Sequence, residues 1–442
     1  MKYLNILLAQ VVGPAAVIAA GTMGAGAVAS LILAGAWFRY DLLWVIVCML
    51  PLFVIVVDSS SRIGAVNKGE GMLSIIRRHI HPSAAWLILL INIPVHILVG
   101  MGQISIMSSA FLSLFGFHPP SASAPPDYAG TYKIAEMVAS VALTATILWI
   151  VLSQGYERMQ KAMTALMVLM FVCFLVIAVR SFQEIDAILH GFIPNIPSDL
   201  PTTAAAGVRL SSDSILAILG SAIAPGALLA IPYMSSDNRQ GALELKSDLW
   251  KSIINLGFIF GAYAIFVLIA GGFALYPLAN HAEIETVHQA GQVLSRAFPA
   301  AISFVGPFIF TLGLFIAALT TLVVVLQVIC YITLDLLNKP WTFNAENTLY
   351  KKLMAITALV MAALAPLWSF PALLKVVLLM GVNVVVIPLI IVAMMYLINR
   401  RSVMGEHTAG IVRNLILGVC LALSLGLAFD KAPHYLRLVL AN

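Results

Sequence analysis

The sequence predicts an all-α integral membrane protein that crosses the bilayer about eleven times. Of its 442 residues, 61% are hydrophobic and only 10% are charged, against about 25% charged residues in an average soluble domain. The apolar residues form separate runs, and a helix needs roughly twenty such residues to cross the hydrocarbon. Most of the Lys and Arg residues lie between these runs, so the net charge of +5 does not indicate a nucleic-acid partner.

Eleven apolar runs are predicted to be membrane spans, and they are numbered here in chain order. The longer runs have to tilt or extend beyond the bilayer. The predicted spans cover residues 7–35, 41–62, 83–115, 131–153, 158–181, 212–236, 249–276, 297–336, 348–368, 371–397 and 409–429. Three longer loops separate some of them, at residues 116–130, 182–211 and 277–296, and the last has a segment that suits a short amphipathic helix.

The distribution of basic residues predicts the orientation of the chain. With a cytoplasmic N-terminus, sixteen Lys and Arg residues fall on the inner side and seven on the outer side, and Lys375 lies near the outer end of a span. Basic residues collect in cytoplasmic loops. We therefore expect a multi-pass protein of the inner or plasma membrane with an external C-terminus.

Spans one and six each contain a break in the middle of an apolar run. In span one the stretch Gly21–Gly26 is rich in glycine, which weakens a helix. In span six the stretch Ser221–Gly226 contains Pro225, which has no N–H to donate. Interrupted spans in corresponding halves of a chain are the best sequence pointer to the binding site of a transporter. The sequence thus predicts a site where the two breaks meet.

The order and spacing of several short stretches resemble the Nramp family of proton-coupled divalent-metal transporters over nearly the whole chain. These stretches are Leu42–Val45, Ser61–Val66, Ala85–Leu87, Gly191–Pro197, Ile254–Leu256 and Ile387–Leu389. The resemblance implies a LeuT-like fold, in which spans one to five and spans six to ten form an inverted repeat and spans one and six are unwound at the site. In that case residues 1–442 form a single transporter domain, with repeats at about 7–181 and 212–397 and an extra helix at about 409–429.

The predicted site departs from the pattern of that family. The family's first break reads Asp-Pro-Gly-Asn, and the matching stretch here is Gly24–Ala27. Its second break reads Met-Pro-His, which is matched by Ala224–Gly226. An Asp and a Glu of the family's proton route are matched by Gly100 and Gln103, and a span-ten glutamine by Gly381. The comparison predicts that the family's metal ligands and proton route are lost while its scaffold is retained.

The replacement residues favour an organic substrate. Small residues at the start of a half-helix leave free N–H groups that suit an anion, and the loss of large ligand side chains leaves room for a larger solute. We therefore expect a secondary transporter that carries a carboxylate or amino-acid-like molecule by alternating access. The simpler interpretation is that the glycines allow close helix packing. The candidate substrate-binding residues are Thr22, Gly24, Ala25, Gly26, Ala27, Ala224, Pro225, Gly226, Ala227, Gln103 and Asn255.

Two alternatives remain from the sequence. The first is a divalent-metal transporter that holds its ion by backbone carbonyls and water. It ranks Mg²⁺ above Mn²⁺ or Fe²⁺, because no soft ligand remains at the predicted site. The second is a membrane sensor that keeps the fold without transporting. The apolar spans contain no nucleophile paired with a general base, so neither an enzyme nor a resident cofactor is expected.

Ion coupling is suggested by a few polar side chains inside apolar spans. Thr320 and Thr321 form a hydroxyl pair in span eight, which sodium-coupled carriers of this fold use to bind Na⁺, although threonines also satisfy carbonyls of their own helix. His96 in span three has the side chain that titrates near neutral pH and is a candidate proton relay. Asn383 in span ten either lines the pathway or joins helices. The candidate coupling ions for symport are Na⁺ and H⁺.

Overall fold

The fold was analysed in a computed structural model. It describes residues 22–120, 125–201, 208–237, 245–276, 287, 290, 302–343, 346–368 and 372–440. These residues are almost all helical, which confirms the all-α class. Within them, nine helices are long and apolar enough to cross a membrane, and a shorter apolar helix covers Ala25–Phe38. The early part of span one, residues 7–21, and most of the 277–296 loop lie outside the described residues.

The helices follow the predicted spans closely. The α-helices of the spans are Ala25–Phe38, Leu43–Val66, Pro82–Leu114, Pro126–Arg180, Ser211–Ala222, Pro225–Asp237, Leu245–Ser252, Phe260–Ala274, Val305–Leu336, Thr348–Leu364, Ala372–Ile398 and Ile411–Leu440. Shorter α-helices are Met72–His79, Ile185–His190 and Arg401–Met404, and two 3₁₀ turns cover Ser181–Glu184 and Ala365–Leu367. A π-helix covers Ile253–Ile259, and two antiparallel strands of two residues each cover Leu200–Pro201 and Val208–Arg209.

Two predicted details are corrected. Spans four and five were expected to be separate helices, but Pro126–Arg180 is one continuous helix of 55 residues. The residues expected between them, Gln154–Glu157, include one glycine and no proline, so none of them removes a backbone donor. Span seven is not a uniform α-helix either, because the π-helical segment Ile253–Ile259 interrupts it. Such segments often accompany function in helices.

The described residues include the break of span six and, for span one, the helix start that follows the predicted break. Helix Ala25–Phe38 begins directly after Gly24, whose backbone is extended (φ −71°, ψ 178°). Span six is divided into Ser211–Ala222 and Pro225–Asp237, and Ile223 between them is non-helical (φ −92°, ψ 59°). Span six is therefore discontinuous where Pro225 removes a backbone donor.

Glycine serves close packing elsewhere in the bundle. A Cβ added to Gly35 in span one would lie 2.3 Å from the carbonyl oxygen of Leu268 in span seven. A Cβ added to Gly271 in span seven would lie 2.4 Å from the carbonyl oxygen of Ile32. Spans one and seven thus touch backbone to backbone, as small residues permit in membrane helices. At Gly35 and Gly271, glycine therefore serves close helix packing.

Buried Asp58 of span two forms an ion pair with span eleven. Asp58 is fully buried, and its Oδ2 atom lies 2.7 Å from Arg62 Nε and 2.6 Å from Arg413 Nη2. Arg413 also donates from Nη1 to the Ser59 hydroxyl at 2.8 Å. The carboxylate joins two guanidinium groups from different helices, so the last helix is tied to the bundle by charge as well as by apolar contact.

A second buried carboxylate joins three segments at one end of span six. Asp335 Oδ2 accepts hydrogen bonds from the Tyr233 hydroxyl at 2.8 Å and from the backbone N–H groups of Leu73 (2.9 Å) and Ser74 (3.0 Å). The acceptor therefore lies at the N-terminus of helix Met72–His79, where a negative charge is favoured. This contact holds the second half of span six against the end of span eight.

At the other end of span two, a third carboxylate joins the loop after span one to the segment after span five. Glu184 accepts from the Tyr40 hydroxyl at 2.6 Å and lies 3.1 Å from Arg39 Nη2. Burial and the neighbouring carboxylate raise the pKa of Tyr40 above its usual value, so this hydroxyl stays a donor at physiological pH. The long loop after span five is thus anchored at its start.

Candidate functional site

A small cavity lies where the two breaks meet. Its volume is about 50 Å³. Residues from spans one, three, six, eight and ten surround it, so it sits at the centre of the bundle. The lining residues are Thr22, Gly24, Gly26, Ala27, His96, Val99, Gln103, Ser221, Ala224, Gly226, Ala227, Thr321, Val324, Val325, Val328, Met380 and Asn383.

Most of the predicted site residues contribute to this cavity. Those that line it are Thr22, Gly24, Gly26, Ala27, Ala224, Gly226, Ala227, Gln103, Thr321 and His96. Ala25 and Pro225 do not line it, although both lie beside residues that do. Neighbouring helix positions point about 100° apart, which explains how adjacent residues differ. The structure therefore brings the two breaks together as the sequence predicted.

Two predicted residues lie elsewhere. Asn255 belongs to the π-helical part of span seven, where its Nδ2 donates to the carbonyl oxygen of Lys251 at 2.8 Å. Thr320 donates to the carbonyl oxygen of Ala317 at 3.0 Å, so its hydroxyl satisfies its own helix. Neither residue lines the cavity. Of the span-eight hydroxyl pair, only Thr321 reaches the site, and the pair does not face it together.

Gly26 makes room for a methionine from span ten. A Cβ added to Gly26 would lie 2.6 Å from the Sδ atom of Met380 and 2.7 Å from its Cε atom. Met380 is 5% exposed and lines the cavity. Asn383 Nδ2 lies 3.8 Å from the same sulfur. The space that glycine leaves in span one is therefore filled by a thioether.

Gly226 makes room for a histidine from span three in the same way. A Cβ added to Gly226 would lie 2.8 Å from the Nε2 atom of His96 and 3.4 Å from its Cδ2 atom. His96 Nδ1 lies 2.6 Å from the carbonyl oxygen of Asn92. A carbonyl oxygen only accepts, so Nδ1 carries the proton in the neutral ring and Nε2 presents a lone pair. That lone pair faces the break in span six.

The expected room for an organic solute is missing because of these two side chains. We predicted that small residues at the breaks would empty volume, but Met380 and His96 occupy it. One water needs roughly 10–15 Å³ of such volume, whereas pockets for organic ligands begin at roughly 300 Å³. A cavity of about 50 Å³ holds a few waters or one partly hydrated ion. The predicted organic substrate does not fit this space.

The proposed anion site is also reduced by the backbone. The N–H of Ala227, expected to be free, donates to the carbonyl oxygen of Ala224 at 3.0 Å. Leu228 donates to the same oxygen at 3.3 Å. Pro225 has no N–H to offer. The second break therefore presents fewer donors to a carboxylate than the sequence suggested.

Gln103 is the polar side chain with unused hydrogen-bonding capacity at the cavity. It is fully buried and lines the cavity. Within the described part of the chain, neither its Oε1 nor its Nε2 atom has a hydrogen-bond partner. Leaving such a buried group unpaired costs about 1–3 kcal/mol. Both amide atoms are therefore available to bind a group that enters the cavity.

The sequence analysis missed Met380 and gave Asn383 no definite role. Methionine inside an apolar span carries no distinguishing signal, because thioethers commonly fill gaps in a core. A usable signal was its position directly before Gly381, which matches a functional glutamine of the family. The statement that no soft ligand remains is wrong for the cavity, since a thioether and an imidazole both reach it.

The broken spans around a mid-bundle cavity are the arrangement of a secondary membrane transporter. A family model described as natural resistance-associated macrophage protein-like matches residues 15–430. The chain therefore belongs to the Nramp family. None of the curated proteins searched matches the sequence significantly.

Solved structures show the same fold. A glutamate-to-glutamine mutant of the Eremococcus coleocola manganese transporter matches with a TM-score of 0.75 and 16% identity, covering 96% of this chain and 86% of that chain. The same transporter in complex with an aromatic bis-isothiourea substituted compound matches with a TM-score of 0.73 and 16% identity, covering 98% and 88%. These likenesses confirm the LeuT-like fold. The repeat boundaries stay a prediction.

Proposed function

We propose that this chain is a secondary transporter of a divalent metal cation, which it binds between the breaks of spans one and six. The observation that carries the proposal is the cavity of about 50 Å³ at those breaks, which suits an ion and is too small for an organic solute. Family membership and the manganese transporter with the same fold support the same substrate class.

Water has to remain part of the coordination of the ion. Among the described residues, the cavity lining includes no Asp or Glu, and no group of three or more His, Cys, Asp or Glu could hold a metal. A divalent cation stripped of water at membrane depth needs ligands to replace its hydration shell. Neutral side-chain atoms, break carbonyls and retained waters would supply them together.

Transport follows alternating access in this proposal. The half-helices that begin at Gly24 and Pro225 carry only backbone and small side chains into the cavity, and they move against spans three, eight and ten. The excess of basic residues in alternate loops supports a cytoplasmic N-terminus in the inner or plasma membrane. Thr321 and His96 line the cavity and are the candidate residues for coupling to Na⁺ and to H⁺.

Uptake into proteoliposomes tests the substrate class. Wild-type protein is expected to take up a divalent ion from a panel of Mn²⁺, Cd²⁺ and Mg²⁺, and to ignore labelled amino acids and small carboxylates. Ala27→Leu adds bulk to the cavity lining and should abolish uptake. Gly418→Leu is the matched control, because a Cβ there meets nothing within 4 Å. Uptake of an organic solute without any metal uptake would refute the proposal.

A further inference from the structure

We propose that a groove between spans two and seven binds an anionic phospholipid, with one acyl chain in the groove and the phosphate at Arg62 and Lys246. In the part of the chain that the structure describes, this groove shares no lining residue with the cavity at the breaks. The inference therefore concerns a second site and does not depend on which substrate is carried.

The groove is an apolar hollow on the membrane-facing side of the bundle, with a volume of about 640 Å³. All the residues that line it are apolar. Val47 and Phe258 at its rim are 45% and 70% exposed, so the groove opens towards the lipid. Pockets for organic ligands have volumes of roughly 300–1,000 Å³. The groove therefore has room for an acyl chain, which the small cavity at the breaks does not.

The groove depends on glycine in the wall that span seven provides. Gly257 lies in the π-helical segment, and a Cβ added there would lie 3.6 Å from Val54 Cγ2 of span two. A single carbon is therefore tolerated, whereas a longer side chain would fill the groove. The lining runs from Ile253 to Ile265, which is about 18 Å along a helix. This length exceeds half of the hydrocarbon thickness of about 30 Å, so it suits the acyl chain of a lipid in one leaflet.

Basic and aromatic residues lie at the end of the groove that is predicted to face the cytoplasm. Trp250 and Lys246 precede Ile253 by three and seven residues, so all three share one face of span seven. Trp250 is 57% exposed, as is usual for tryptophan at the level of the lipid headgroups. Arg62 of span two donates from Nη2 to the Leu245 carbonyl oxygen at 3.3 Å. This contact brings the guanidinium to the same end of the groove as the exposed ammonium of Lys246.

Positive charge is in excess at this end of the groove. The single carboxylate of Asp58 pairs with both Arg62 and Arg413. Asp248 pairs with Lys251 at 3.7 Å, so those two charges offset each other. Basic pockets between transmembrane helices on the cytoplasmic side bind anionic headgroups, and a guanidinium group matches the geometry of a phosphate. The charge therefore favours an anionic lipid over a zwitterionic one.

Native mass spectrometry of the full chain in detergent tests the headgroup, with phosphatidylglycerol and phosphatidylcholine of identical acyl chains as the probes. Phosphatidylglycerol should bind more tightly. Lys246→Gln should weaken its binding about fivefold, the effect of one basic residue at an anionic surface, and should leave phosphatidylcholine unchanged. Lys352→Gln is the matched control, because it removes an exposed lysine from the same predicted side of the membrane on another helix.

Gly257→Leu tests the groove itself, since the larger side chain takes the volume of the acyl chain. Two methylene groups kept from burial already weaken binding by about tenfold, so both lipids should bind at least that much more weakly. Gly418→Leu is the matched control in span eleven, where a Cβ meets nothing within 4 Å. If Gly257→Leu does not fold, as judged by gel filtration and thermal unfolding, the two lysine variants decide alone.

Competition with inorganic phosphate separates a lipid site from a simple phosphate site. Phosphate should not displace phosphatidylglycerol, because it has no chain to bury in the groove. Displacement by phosphate would overturn the proposal, as would equal binding of the two lipids by wild-type protein. Equal phosphatidylglycerol binding by Lys246→Gln and Lys352→Gln would also overturn it. These results do not involve metal uptake, so the proposed function is tested separately.

Discussion

The contact between His96 and Gly226 makes this position the sharpest test of the site. In Gly226→Ala the new Cβ would lie 2.8 Å from Nε2, and ordinary contact needs about 3.4 Å. The imidazole cannot simply retreat by the difference, since its Nδ1 atom is held at 2.6 Å from the Asn92 carbonyl oxygen. Overpacking of this kind costs about 1–3 kcal/mol. The methyl group would also take up part of the cavity that we propose for the ion.

We therefore expect Gly226→Ala to lose about 1–3 kcal/mol of stability and most of its metal uptake. Thermal unfolding in detergent and uptake into proteoliposomes measure the two effects. Gly26→Ala should be milder, because the flexible end of Met380 can move away from the new Cβ. Gly426→Ala is the control without a neighbour, since nothing lies within 4 Å of its Cβ.

A double mutant isolates the contact itself. If the cost arises from the collision with the ring, His96→Ala should relieve the instability of Gly226→Ala, with a coupling of about 0.5–3 kcal/mol. Metal uptake should not return, because the double mutant changes two residues that line the cavity. Equal stability and equal uptake in Gly226→Ala and Gly426→Ala would refute this account of the site.

Three further contacts are tested by substitution, and Glu70→Gln serves as the comparison for one of them. Gln103→Leu should raise stability by up to about 1–3 kcal/mol, because it removes unpartnered buried polar atoms, and should lower metal uptake; reduced stability with normal uptake would contradict this. Arg413→Met should lower the free energy of unfolding by about 3 kcal/mol, measured by thermal unfolding, because it removes one partner of the buried Asp58. Glu70→Gln removes a charge from an exposed ion pair and should lower it by at most about 1 kcal/mol. Tyr233→Phe should lower the free energy of unfolding by about 1.5–3 kcal/mol, since the Tyr233 hydroxyl donates to a buried carboxylate. An unchanged melting temperature would show that this hydrogen bond does not stabilise the fold.

The spans and breaks could be predicted from the sequence because they depend on local chemistry. Hydropathy gives the spans, since the bilayer imposes a minimum length on each apolar helix. Pro225 breaks its helix whatever surrounds it, because it lacks an N–H. The helix start at Gly24 and the division before Pro225 confirm this.

The filling of the site could not be predicted in the same way. The emptiness inferred from the replacements at Gly24, Ala27, Ala224 and Gly226 was a local inference, but Met380 and His96 approach the breaks from helices distant in sequence. Which side chain reaches across a bundle depends on how the helices pack, and no periodicity in a single span encodes that. Asn255 also lies away from the cavity, within the π-helical segment of span seven.

The glycines at the two breaks constrain how this site can change by single substitutions. Gly26 and Met380 share one volume, and Gly226 and His96 share another. If a larger residue replaces Gly26 while Met380 is still present, the two side chains collide. If a smaller residue replaces Met380 first, the intermediate protein has only a small void. Each pair should therefore vary together among relatives, with the glycine appearing before its large neighbour. A change at either break is therefore limited by a side chain that another span brings to it.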